Sequence, residues 1–302
     1  MTSNNPDIIW DGDPPVLKSP VLVVAMKGWI DAAEAAAEAM STIEAQSDRL
    51  PLASFDPDVF IDYRSRRPTM EIREGRTNDI DWPSIDLWSG RDANGRDVLL
   101  LTGNEPDGAW NRFSKAVREI CVGFGVRMMV GLGAYPFPAP HTRPSRISCT
   151  SPSEELLSAH HFLRTSVDIP AGMQAVLEQV LHGIGIPSIT IWAQVPQYAA
   201  SMSCPAASMA LIEGLREVSG LSFDKRALEQ EAILQRDRLD RLVRRNDEHR
   251  EMVAKYEASY DAAVQPTLPL EPAPLRESDI PSPDELAAEL EAFLRDGNSD
   301  NG

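Results

Sequence analysis

Four short stretches concentrate the side chains that can do chemistry. The first is Gly28-Trp29-Ile30-Asp31, directly after an apolar run. Its single Gly and acidic residue do not suit phosphate, which needs several bare N–H groups at a helix start. Lys27 only partly offsets Asp31, and a capped strand-to-helix turn is the preferred interpretation. The second is Gly103-Asn104-Glu105-Pro106-Asp107, with Trp110 close behind. Glu105 and Asp107 can work as acid and base if their environments separate their pKa values. They also suit a helix start through its dipole. The third runs from Gly131-Leu132-Gly133-Ala134-Tyr135-Pro136 to His141, Arg143 and Arg146. Its G-x-G is followed by prolines rather than a helix, so it is not a dinucleotide loop. The fourth holds Arg64, Arg66 and Arg67. Arg64, Arg66, Arg67, His141 and Arg143 together can grip a phosphate or carboxylate through paired guanidinium contacts. Pairing with the chain's own acids is the competing use of the same groups. For an enzyme, the catalytic candidates are Glu105, Asp107 and His141. His160 and His161 are adjacent, and His182 and His249 stand alone. Neither a nucleophile motif nor a metal-ligand set is visible, and no cofactor is implied.

The elements that must position these groups alternate between strand and helix. Val21 to Met26 is a continuous apolar run, as expected of a strand buried on both faces. Asp31 then caps an Ala-rich helix from Ala32 to Gln46. Val98 to Leu101, Arg127 to Leu132 and Ser188 to Val195 repeat the strand pattern, and a helix is expected from about Gly108 to Phe124. Val59 to Tyr63 and Glu71 to Arg73 suggest a weaker edge pair. Helices are expected at Glu154 to Arg164, Gly172 to Gly183 and Pro205 to Gly220. The alternation predicts an α/β fold: a mostly parallel mixed sheet flanked by helices.

The predicted organisation is a flexible leader over 1–19, a core over 20–220 with a helical insertion near 153–184, and a long charged helix over 221–263. A Pro-rich acidic tail over 264–302 follows, with a short helix at 283–295. Asp224 to Ala262 contains neither Gly nor Pro. Leu239, Leu242, Asn246, His249, Val253, Tyr256 and Tyr260 recur in steps of three and four, an a/d seam. One continuous helix here spans roughly 60 Å at 1.5 Å per residue. The seam can bind a partner through Leu239, Leu242, Val253, Tyr256 and Tyr260, or fold back as a helix pair within the chain. In the tail, Ser282-Pro283-Asp284-Glu285 opens a helix whose Leu286, Leu290, Phe293 and Leu294 form one apolar stripe.

The chain has 302 residues and a formal charge of −17. Such a surface disfavours nucleic acid and anionic lipid. Residues 265–302 hold nine acids against Arg276 and Arg295. Cys121, Cys149 and Cys204 are odd in number and widely spaced, which argues against disulfides and structural zinc. Met1 to Pro15 has no apolar segment of a secretory signal, and no run is long enough to span a membrane. A cytoplasmic protein is expected.

Several segments occur together in order: V-A-M-K-G-W-I-D-A-A, D-Y-R-S-R-R-P, L-T-G-N-E-P-D-x-x-W, G-A-x-x-x-x-P-A-P-H-T-R-P and V-P-Q-Y. This set resembles the bacterial branch of the proteasome assembly chaperone 2 family, over about Leu22 to Gly220 and more loosely beyond. The resemblance implies a core similar to purine nucleoside phosphorylases, with a helical addition. It also implies a protein partner, proteasome-related in archaeal and eukaryotic members. Several of those end in a hydrophobic-Tyr-any tail that docks on the proteasome α-ring; this chain ends Ser299-Asp300-Asn301-Gly302, without it. The sequence therefore reads as a homo-oligomeric interaction protein, a chaperone or adaptor. The alternative is an enzyme or binder that handles a nucleoside or phosphorylated small molecule.

Overall fold

The computed structural model describes residues 5–28 and 30–264. Ten strands are present among them: β1 (Ile8–Trp10), β2 (Val21–Lys27), β3 (Leu50–Phe55), β4 (Thr69–Arg73), β5 (Arg76–Asp81), β6 (Ile85–Arg91), β7 (Asp97–Asn104), β8 (Met128–Phe137), β9 (Ile147–Thr150) and β10 (Ser188–Pro196). Eight α-helices accompany them: α1 (Ala35–Gln46), α2 (Pro57–Phe60), α3 (Trp110–Phe124), α4 (Glu154–Ala159), α5 (Met173–His182), α6 (Pro205–Ser219), α7 (Arg226–Arg244) and α8 (Asp247–Val264).

Eight strands form one mixed sheet in the order β1-β3-β6-β7-β2-β8-β10-β9. The centre, β7-β2-β8-β10, is parallel. The flanks are antiparallel: β6, β3 and β1 on one side, β9 on the other. Alternation along β2 explains why its run is continuously apolar. Val21, Val23 and Ala25 join the core beneath α1 and α6, whereas Leu22 and Val24 face α3 and α5. Phe55, Phe60 and Phe113 meet at ring separations of 4.6 to 6.3 Å and fix α2 against α3.

Several boundaries differ from expectation. The leader contains β1, and its Asp7 is buried and paired with Arg112. Val59 to Tyr63 is not a strand: Asp56 caps the short helix α2 there. β3 and β6 had no strong apolar run to announce them. β6 is half-buried, with Ile85, Leu87 and Ser89 inward. Gly131 to Pro136 is not a loop but part of β8, where the bare Gly133 makes room for the Trp192 indole. The helix after β2 starts late. A 3-10 turn at Ala32–Glu34, with Ala33 and Glu34 at φ of 60° and 52°, precedes α1. Asp31 still caps: its two oxygens accept the N–H groups of Ala36 and Ala37 at 2.8 and 2.9 Å. Burial, the largest influence, pushes the Asp31 carboxyl up in pKa, while those two N–H groups oppose it.

The expected single helix over 221–263 is two helices, α7 and α8. Asn246, read as a seam position, breaks it. Its side chain accepts the N–H groups of Glu248 at 2.9 Å and His249 at 3.3 Å, so it serves as the N-cap of α8. The short helix expected at 283–295 lies outside the described residues.

Candidate functional site

The parallel strands end together, and the loops after β2, β7, β8 and β10 gather at that carboxyl edge. Ligand sites of open α/β sheets are built there. Two groups of side chains occupy it.

The first surrounds the end of β7. Glu105 Oε1 accepts the backbone N–H of Met173, so it caps α5, and its side chain lies where Gly28 leaves space. Asp107 accepts from Arg66 Nε at 2.9 Å and from the N–H of Asp62 at 2.9 Å. Arg66 also donates to Asn104 Oδ1 at 3.2 Å. Asp62 in turn accepts the N–H of Arg64 and the hydroxyl of Ser65, which hold its carboxyl below the usual range. Arg64 and Arg67 are exposed. Glu105 and Asp107 therefore do different jobs: one caps a helix, the other anchors an arginine.

The second group lies on the loop from Pro138 to Arg146, between β8 and β9. His141 is 4% exposed at its side chain. Its backbone N–H donates to Tyr198 Oη at 2.8 Å, and its Nδ1 lies 2.6 Å from the same oxygen. Its Nε2 lies 3.1 Å from Asp240 Oδ1 on α7. These contacts assign the protons. The Asp240 carboxylate accepts, so Nε2–H donates to it, and in the neutral ring Nδ1 then accepts from the Tyr198 O–H. Burial is the largest influence on His141 and lowers its pKa, which keeps that neutral tautomer. Burial likewise raises the Tyr198 phenol. Both ring nitrogens are engaged, so this Tyr-His-Asp chain clasps α7 to the sheet.

Neighbouring residues clasp α8 in the same way. Thr142 donates to Glu257. Arg143 binds Asp261 through two nitrogens at 2.9 and 2.7 Å and Glu257 at 3.2 Å. Arg146 stacks 3.8 Å above the Tyr260 ring and donates to the Tyr260 carbonyl at 2.7 Å. Tyr256 stacks on Tyr198 and accepts from Gln197 Nε2 at 2.8 Å. Leu239 and Val253 are buried, and Leu242 is half-buried. The seam is thus engaged within this chain, the intramolecular of its two packings.

Between the Pro138–Arg146 loop, α6 and α7 lies a groove of about 440 Å³. Pro140, Pro196, Ala206, Met209, Ile233 and Leu239 give it an apolar lining, with His141, Arg143 and Arg236 among its polar groups. The two arginine groups do not meet through any hydrogen bond among the described residues: Arg66 binds Asp107, and Arg143 binds Glu257 and Asp261. No group of three or more His, Cys, Asp or Glu among the described residues is placed to hold a metal. Likewise, no described helix is long and apolar enough to cross a membrane. Tyr198 and Asp240 were not among the site residues expected from sequence. Tyr198 ends the V-P-Q-Y segment, a signal that was present; Asp240 gave none, because it is one charge among many on α7.

A separate polar group lies under α5. Glu178 is buried and accepts from Thr150 Oγ1 at 3.0 Å, which accepts from Trp192 Nε1 at 3.3 Å. One turn earlier, Gln174 donates to the Leu132 carbonyl at 3.1 Å, while its Oε1 is buried without a partner. Burial pushes the Glu178 carboxyl up to about 7, against the hydrogen bond from Thr150.

A search of the curated proteins found no match. Solved structures do match. A Mycobacterium tuberculosis protein of unknown function, Rv2714, is 33% identical over 87% of this chain and 92% of its own, with a TM-score of 0.79. A Corynebacterium glutamicum protein of unknown function is 29% identical over 85% and 98%, at 0.80. The Mycobacterium tuberculosis proteasome-assembly chaperone homologue Rv2125 is 29% identical over 78% and 99%, at 0.72. The sequence profile of the PAC2 family matches residues 25–243, and the chain belongs to that family.

Proposed function

We propose that this chain is a protein-binding chaperone or adaptor that acts as a homo-oligomer, with a proteasome-related partner. The observation that carries it is the ribbon of β4 and β5. These two strands pair only with each other, outside the main sheet. Met70 faces Ile80 across the ribbon and Ile72 faces Thr77, with a shift of register between the two pairs. Met70, Ile80 and Ile72 are exposed, at 47%, 45% and 56%, and Trp82 follows at 52%. An isolated two-stranded hairpin is marginal in water, and an apolar face of this kind marks a contact surface. The likeness to Rv2125 supports the proteasome link. The test is Ile72→Asp with Ile80→Asp, read by native mass spectrometry with circular dichroism as the folding control. Wild type should be an oligomer and the folded variant a monomer. Equal masses for the two would count against the ribbon as the interface.

A second reading, a nucleoside or phosphorylated small molecule bound at the carboxyl edge, draws on the groove beside His141 and Arg143. It requires that Arg143→Ala or Glu105→Ala change ligand binding or turnover; if neither does, it fails.

A further inference from the structure

We propose that the groove along α7 is the docking site of this chain's own C-terminal segment, residues 284–295, packed there as a helix. Four independent features point to that occupant.

The first is shape. The groove follows α7 from Glu229 to Leu239, about 15 Å at 1.5 Å per residue. Twelve residues of helix measure about 18 Å. The second is surface chemistry. Ile233 lines the groove and is 62% exposed, and the adjoining Leu234 is also exposed. Leu286, Leu290, Phe293 and Leu294 form the complementary apolar stripe in the sequence.

The third is charge. Arg236, Arg238, Arg241, Arg244 and Arg245 are exposed on and just beyond α7. Among the described residues none of the five forms an ion pair. This basic strip is out of place on a chain of net charge −17. Asp284, Glu285, Glu289 and Glu291 flank the apolar stripe and supply the opposite sign.

The fourth is the exit point. Asp261, in the last turn of α8, binds Arg143, which itself lines the groove. The chain therefore leaves the described structure at the groove's lip. Nineteen residues separate Val264 from Asp284. A linker of that length spans about 25 Å, enough to return. Tethering at that distance gives a local concentration on the order of millimolar, so even a weak helix–groove contact is populated.

The test is hydrogen exchange by mass spectrometry on the full chain. It compares wild type with Leu290→Asp/Phe293→Asp and, separately, with Ile233→Asp. Ile233 is exposed, so its substitution leaves the core intact; unchanged exchange in α3 checks this. In wild type, residues 284–295 should exchange at least tenfold more slowly than an unstructured segment. Each variant should remove that protection and also speed exchange over 230–240. Zero-length coupling of tail carboxylates to Lys225, in a mixture of isotope-labelled and unlabelled chains, should link residues of one chain. Unprotected 284–295 in wild type overturns the proposal. So does protection that survives Ile233→Asp, and so do links formed only between chains.

Discussion

Glu178 offers a direct test of the polar group under α5. Its carboxyl is buried beside Thr150 and lies one turn from the unpartnered Gln174 Oε1. In its protonated form it is a donor, which the ionised form is not. Burial raises it to about 7 from an ordinary 4.5. The unfolded chain therefore releases this proton near pH 4.5, while the folded chain holds it until about 7. The resulting stability is fully present below pH 4.5 and is lost as pH rises through 7. At about 1.4 kcal/mol per pH unit, the separation between 4.5 and about 7 corresponds to about 3 kcal/mol. Glu178→Gln keeps the shape, carries no charge and has an amide that can donate. Urea unfolding from pH 4.5 to 8.5 should show wild type losing on the order of 3 kcal/mol relative to the variant. The variant should be the more stable protein at pH 8. Parallel pH profiles, or a variant weaker than wild type at pH 8, would refute the assignment of a buried, late-titrating carboxyl.

Other positions give independent checks. His141 should stay neutral below the usual histidine pKa, with its proton on Nε2; nitrogen NMR of the imidazole reads both. Because its folded pKa is depressed, its stability contribution is present above about 6.5 and lost as pH falls through the lower folded value. Asn246→Ala should cost about 1 kcal/mol in urea unfolding by removing the cap of α8. Gly103 has a φ of +111°, and a Cβ there would stand 2.9 Å from Ile85 Cα and closer to the Ser84 carbonyl. Gly103→Ala should cost at least about 2 kcal/mol and lower Tm by several degrees.

The parallel centre was legible because each of its strands is buried on both faces. Val21 to Met26, Val98 to Leu101 and Ser188 to Val195 announce themselves as apolar runs. β6 and β1 stayed hidden because they are half-buried or only three residues long. The break in the long helix was obscured by the a/d steps, which run straight through Asn246; its capping role depends on backbone geometry, not spacing. Among the site residues, chemistry was legible but use was not. Glu105, Asp107, Arg66, His141 and Arg143 all lie at the carboxyl edge, as strand ends predict. Sequence alone does not show that Met173, Asp240, Glu257 and Asp261 arrive there from distant segments to occupy them.

The central claim is that this fold works by binding protein. It is tested most directly by purifying the full-length chain gently from its own cells and weighing it by native mass spectrometry. The expected result is a homo-oligomer carrying a second protein in fixed stoichiometry, with proteasome subunits the first candidates. A single chain that carries only a small phosphorylated molecule would contradict it.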